Sequence, residues 1–222
     1  MALRIFETDP GALKTPTSAY DVVGRFRSGM QENGVPTTLE NWRVTVSDPE
    51  VGHAIASMYG GTPREWETTK EDALEVLTNT DNVGIIVDGP DAISAKMVLW
   101  ANGIKFHECD GVSFLNEDQR GQPCGCPTTL QERKELARSG RGPKPEVSVK
   151  FRLADDPELG YFRMQTGSWD LVKTLHIIEG KLANIGGPAL AKMYLNHVEY
   201  TTKKGREVSY RHAMVDVVGP AE

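Results

Sequence analysis

Every cysteine of the 222-residue chain falls inside one short window. His107-x-Cys109 is followed, after fourteen residues, by Cys124-x-Cys126. Three thiolates and one imidazole are the donors that tetrahedral zinc prefers, and a filled Cys3His sphere marks a structural site rather than a catalytic one. Asp110-Gly111 before the gap, and Pro123, Gly125 and Pro127 around the second pair, supply the tight turns that aim two sulfurs at one ion. The one-residue spacers are unusual, since zinc fingers and ribbons commonly use two or more. The competing reading is three unrelated free cysteines. Within the metal reading, the fourth ligand is His107, with Asp110, water or a distant histidine as substitutes if the His107 ring turns away on its strand.

A zinc deaminase carries His-x-Glu followed by Pro-Cys-x-x-Cys. Here Glu108 is adjacent to His107, and a single residue separates the cysteines of Pro123-Cys124-Gly125-Cys126. Neither the proton-shuttling carboxylate nor the ligands fit that chemistry. No Gly-x-Gly-x-x-Gly or Walker sequence occurs, so the glycines read as turn residues and nucleotide hydrolysis loses its support. His53 with Glu50, and His176 with Asp170, are formal acid–base candidates. His53 belongs to the wet face of a helix and His176 to the flank of an apolar stripe, so surface and packing roles are favoured. His197 and His212 lie in a terminal hairpin that could bring them face to face.

The elements that must hold these residues follow from periodicity. The first forty residues, rich in Gly, Pro, Ser and Thr, read as an irregular, partly draped segment, with short extended pieces at Arg4-Ile5-Phe6 and Val22-Val23. Trp42 to Val46 alternates as a strand. Asp48-Pro49 then caps a helix whose stripe is Val51, Ala54, Ile55 and Met58 and which ends at Gly60-Gly61. Extended stretches follow at 73–78, 83–88 and 96–100. From Cys109 to Lys144 the hydrophobic pattern collapses, and a bound metal would supply the missing order. Val147, Val149, Phe151 and Leu153 resume a period-2 strand, and Asp156 to Gly160 turns into another at 161–166. Ser168 caps a helix with the stripe Leu171, Val172, Leu175, Ile178 and Leu182. Lys192–Thr201 and Glu207–Val218 form a hairpin through Lys203 to Arg206. This pattern predicts an α+β fold: a mainly antiparallel sheet with two or three helices and a zinc-stabilised loop insertion. It is read as one domain over 1–222, with 107–126 as a metal knuckle inside it.

Charge and composition narrow the function. Asp plus Glu number 31 against 25 Lys plus Arg, a formal charge of −6, the wrong sign for a protein whose main task is gripping phosphates. Between Gln131 and Arg152, however, seven basic residues face three acidic ones, a solvated helix and loop that could touch DNA once a partner delivers it there. A mean hydropathy of −0.40, no apolar run near the ~18 residues of a membrane span, and charges at Arg4, Glu7 and Asp9 in place of a signal peptide predict no membrane association and a reducing cytoplasm. The four tryptophans, Trp42, Trp66, Trp100 and Trp169, are expected to anchor the core, an exposed one serving a partner.

Several unusual blocks resemble the recombination directionality factors of actinophages that use large serine integrases. They are Leu3 to Pro10, Val23 to Gly29, Gly60 to Thr68, Cys109-Asp110-Gly111, Gly121 to Pro127 and Phe151 to Asp155. The likeness runs from residue 3 to about residue 170. It implies a protein with no catalytic centre that binds the phage integrase and switches it from integration, attP with attB, to excision, attL with attR. It also implies the integrase's C-terminal zinc and coiled-coil region as docking surface, attachment-site DNA reached only through integrase, and the bacterial host cytoplasm as location. The resemblance also implies a further cysteine near Gly140 to Pro143, where none stands here; if that cysteine is a ligand in relatives, His107 replaces it or the site binds metal less tightly. The alternative is a phage or mobile-element zinc protein that binds nucleic acid directly, for example in replication.

Overall fold

A computed structural model describes residues 22–32, 35–66, 72–202 and 205–221. The expectations for residues 1–21, for Glu67-Thr68 and for Lys203-Lys204 lie outside the described residues. The chain is α+β, with three α-helices and one large, mostly antiparallel sheet among the described residues. The strands are β1 (Gly24–Glu32), β2 (Val35–Val46), β3 (Pro63–Glu65), β4 (Leu74–Leu77), β5 (Asn82–Val87) and β6 (Ile93–Ala101). They continue with β7 (Ile104–Cys109), β8 (Lys144–Leu153), β9 (Tyr161–Thr166), β10 (Ala189–Thr201) and β11 (Glu207–Pro220). The helices are α1 (Pro49–Tyr59), α2 (Leu130–Arg138) and α3 (Trp169–Ile185).

The main path runs β11-β10-β5-β8-β9-β1-β2-β4-β3. Its one parallel pairing sets Gly24–Phe26 of β1 against Phe162–Met164 of β9. Alternate burial is most regular in β8, where Val147, Val149, Phe151 and Leu153 are buried and the residues between them are half-buried. The sheet curls so that β10 and β11 also touch β2. Its inner face closes on Phe26, Trp42, Phe151 and Phe162, with Phe26 edge-on to the other three rings at 5.6–5.9 Å.

Two helices complete this core. The Asp48 carboxylate accepts the Glu50 N–H at 2.8 Å and Pro49 opens α1, which buries Val51 and Ile55 and leaves His53 exposed. Ser168 Oγ accepts the Leu171 N–H, and α3 then buries Leu171, Leu175, Ile178 and Leu182 along one stripe. Gly186, left-handed at φ 69°, ends it.

Two expectations are corrected. The stretch before residue 40 is not an irregular drape where it is described: β1 and the start of β2 form a hairpin in the middle of the sheet. Its disguise is chemical. Apart from Phe26, β1 carries Gly24 and Gly29 and the arginines Arg25 and Arg27, whose side chains meet Asp72 on the outer face. The glycine at 24 is a packing requirement, because a Cβ there would lie 2.8 Å from Val46 and 2.9 Å from the Phe162 ring. His197 and His212 do not face each other either. The register pairs Asn196 with His212 and His197 with Arg211, which sends the two imidazoles to opposite faces. His197 meets Ser209 Oγ at 2.8 Å, and His212 Nε2 stands 3.7 Å from Asp170.

Candidate metal centre

The site grows from a branch of the sheet. β8 serves β9 along one edge; along the other it serves β5 at Arg152 and Leu153, then β6 from Val149 to Lys144. β6 outruns the end of β8 beyond Val98 and continues as a hairpin with β7 alone. The turn is Asn102-Gly103, with φ of 51° and 78°, the two left-handed residues that a tight hairpin demands. Returning along β7, the period of two places His107 and Cys109 on one face and Glu108 on the other. Glu108 is held there by Lys96 at 2.6 Å and Lys105 at 2.9 Å. The carboxylate beside the histidine is therefore turned away from the sulfurs and paired twice, and it lacks the deaminase geometry.

The second pair of cysteines is folded back onto the first by turn chemistry. Asp110 Oδ1 accepts the N–H groups of Val112 and Ser113 at 2.8 and 2.7 Å, and Gly111 takes φ 98°. The Asp110 carboxyl is thus held below the usual carboxylate range by those amides, and it is a turn former rather than a ligand. Bridges join Cys109 to Phe114 and Ser113 to Pro123, and the Cys124 N–H donates to Val112 O at 2.9 Å. Gly125, at φ 69°, then turns Cys126 back toward β7.

A third helix, α2, braces this loop, and its sequence carries a reciprocal cap. Thr129 Oγ1 accepts the Glu132 N–H while donating to the Glu132 carboxylate at 2.6 Å. From α2, Arg133 donates from Nε to Pro127 O and from Nη2 to Gly111 O at 2.8 Å, tying both halves of the knuckle together. The basic run after Gln131 thus starts as a half-solvated helix whose Arg133 is committed to the knuckle.

The four donor atoms of His107, Cys109, Cys124 and Cys126 lie within 4.8 Å of one another, so they could hold a metal ion. Cys126 Sγ is 3.7 Å from Cys109 Sγ and 3.6 Å from His107 Nε2. One tetrahedral ion with metal–sulfur bonds of about 2.3 Å and a metal–nitrogen bond near 2.0 Å requires edges of about 3.8 and 3.5 Å. His107 Nε2 therefore stands among the sulfurs, while the Asp110 carboxylate is engaged in its own turn. Burial pushes the Cys109 thiol up to about 12 and lowers the His107 imidazole, which favours the neutral ring that a metal binds. For Cys124 burial raises the thiol too, but hydrogen bonds from Cys126 and Cys109 outweigh it and bring it down. Met97, Phe114 and Trp169 pack around Cys109, Cys124 and Cys126 as a second apolar cluster, separate from the main core.

The remaining sequence candidates do not assemble. Glu50 and His53 share the solvated side of α1, and Asp170 is bonded to Lys173 at 2.6 Å while His176 is exposed. Trp42 is fully buried, Trp66 stacks under Arg43 at 4.3 Å, Trp169 closes the knuckle, and Trp100 is exposed. Among the described residues no helix is long and apolar enough to cross a membrane.

A curled antiparallel sheet carrying a Cys3His knuckle at the foot of a projecting hairpin defines an α+β protein whose cluster of three thiols and one imidazole could hold a metal ion. No solved structure matches the chain. The chain belongs to the Gp3-like family, described as recombination directionality factor-like, whose family model matches residues 23–220.

Proposed function

We propose that this protein has no catalytic centre of its own, binds a phage large serine integrase and switches it from integration to excision. The observation that carries this reading is the family match across nearly the whole chain. In physical terms the switch is a population shift. The factor must bind the excision-competent assembly of integrase and hybrid sites more tightly than the assembly on parental sites. The formal charge of −6 supports a factor that recognises protein first and meets attachment-site DNA through integrase, whose C-terminal zinc and coiled-coil region is the proposed dock.

The knuckle fits zinc by donor chemistry, with three soft sulfurs and one imidazole and four protein ligands that leave no place for a substrate. Zinc there supplies order, and Glu108, paired to two lysines, stands in no position to shuttle a proton. Such a thiolate site suits the reducing cytoplasm of a bacterial host.

The test is recombination in vitro by the cognate integrase on parental and hybrid sites, over a range of factor-to-integrase ratios. Excision appears, and integration falls, when the factor approaches the concentration of integrase. Switching by catalytic amounts, or retardation of attachment-site DNA by this protein alone, overturns the reading.

A further inference from the structure

We infer that the tip of the β6–β7 hairpin is the integrase-docking element, an apolar knob that enters a groove rimmed by carboxylates; this rests on the function proposed above. Beyond Val98 the hairpin has left β8, yet it carries its largest apolar side chains there. Trp100 is 55% exposed, Ile104 69% and Phe106 76%. The register advances one residue on β6 and two on β7 between Leu99 and Trp100, so Phe106 is an extra residue in a bulge, a device that re-aims side chains. A strand that needed only to close a turn would not place a tryptophan, an isoleucine and a phenylalanine in water.

The size and shape of the patch choose the occupant. These three side chains expose roughly 400 Å² of mostly apolar surface. A stable dimer through two such tips falls short of the ~800 Å² per partner that specific interfaces bury. A convex aromatic knob set in a concave partner, however, is how a few residues supply most of a binding energy. The charges around it give the rim. Lys105 lies 5.7 Å from the Trp100 ring centre, and both carboxylate oxygens of Glu108 are already taken by Lys96 and Lys105. Beside Trp100 opens a cleft of about 680 Å³ lined by Arg27, Lys144 and Glu146; the Glu146 carboxylate meets Lys96 at 3.3 Å, and Lys144 makes no ion pair among the described residues. A groove edged by aspartate or glutamate complements that arrangement.

The knuckle gives the knob its rigidity. His107 follows Phe106 directly, so an ion held by His107 and Cys109 fixes the strand that presents the tip. A pre-organised knob binds without the loss of freedom that a mobile hairpin would suffer.

The experiment measures binding of integrase to the full-length protein and to Phe106→Asp, Trp100→Ala and Val218→Asp. Val218, on β11, is 69% exposed and serves as an apolar control away from the hairpin. All three variants should melt as the parent does, since none of these side chains is buried. Phe106→Asp and Trp100→Ala should each weaken binding about tenfold or more and abolish the switch to excision, while Val218→Asp binds as the parent does. Parental binding that Phe106→Asp leaves intact overturns the inference and spares the proposed function. A parent that never binds integrase overturns both. A parent dimer that Phe106→Asp converts to monomer makes a second copy the occupant and overturns the inference.

Discussion

Cys109 Sγ and Cys126 Sγ stand 3.7 Å apart, too far for the ~2.05 Å of a disulfide and close to one edge of a metal–thiolate tetrahedron. The contact ties the end of β7 to a loop seventeen residues downstream. Because the knuckle packs as its own cluster, apart from the main core, its loss has a bounded effect.

Removing the ion by chelation, or replacing a ligand by Cys124→Ser, should loosen the loop between Cys109 and Pro127 while the sheet core stays folded. Metal content falls from one ion per chain to none, and amide exchange accelerates in residues 107–127 with little change through β8 and β10. Global unfolding on chelation would contradict the separation of the two clusters.

Arg133 spans the knuckle with two hydrogen bonds to carbonyls, and Arg133→Ala leaves both acceptors without it. We expect a local destabilisation of about 1–3 kcal/mol, read by exchange at Val112 and Cys124. Arg133→Lys should not restore it, because an ammonium cannot reproduce the planar fork.

Two glycines should respond with opposite sign. Gly24→Ala drives a methyl into Val46 and the Phe162 ring and should cost about 1–3 kcal/mol. Gly180, exposed within α3, has open space where a Cβ would stand, so Gly180→Ala should add about 0.5–1 kcal/mol. Denaturant midpoints of the two variants measure both effects.

His212 is nine-tenths buried, and that burial depresses its pKa; Asp170 works against the shift and Lys173 with it. A depressed folded value means the unfolded chain takes up a proton before the native one does. The contribution is therefore present above the ordinary imidazole value of about 6.5 and is lost as pH falls through the folded value. Thermal midpoints should drop on acidification below that point, and the slope should be shallower in His212→Gln.

The legible parts of this fold were those whose side chains alternate or repeat cleanly. β8, α1 and α3 can be read off Val147 to Leu153, Val51 to Met58 and Leu171 to Leu182 because each buries one face against a common core. β1 was hidden because its outward residues are arginines satisfied by Asp72, a partner more than forty positions away. The Cys/His cluster is visible from residue type alone, whereas the orientation of His107 depends on β7. A signal for β7 does exist: Asn102-Gly103 between Met97–Trp100 and Ile104–Phe106 is a strong hairpin marker. α2 is legible only as the solvated helix at the start of the basic run, and its boundary is marked by the Thr129-Leu130-Gln131-Glu132 cap.

The three-residue parallel seam between Gly24–Phe26 and Phe162–Met164 has a consequence for how the protein is made. Among the described strands it is the only ladder joining β1–β4 to the rest of the sheet. At roughly 5–20 residues per second the ribosome needs on the order of ten seconds to pass from the first of these segments to the second. For that interval β1 lacks the strand that pairs its other edge, and the two parts of the sheet cannot yet be joined.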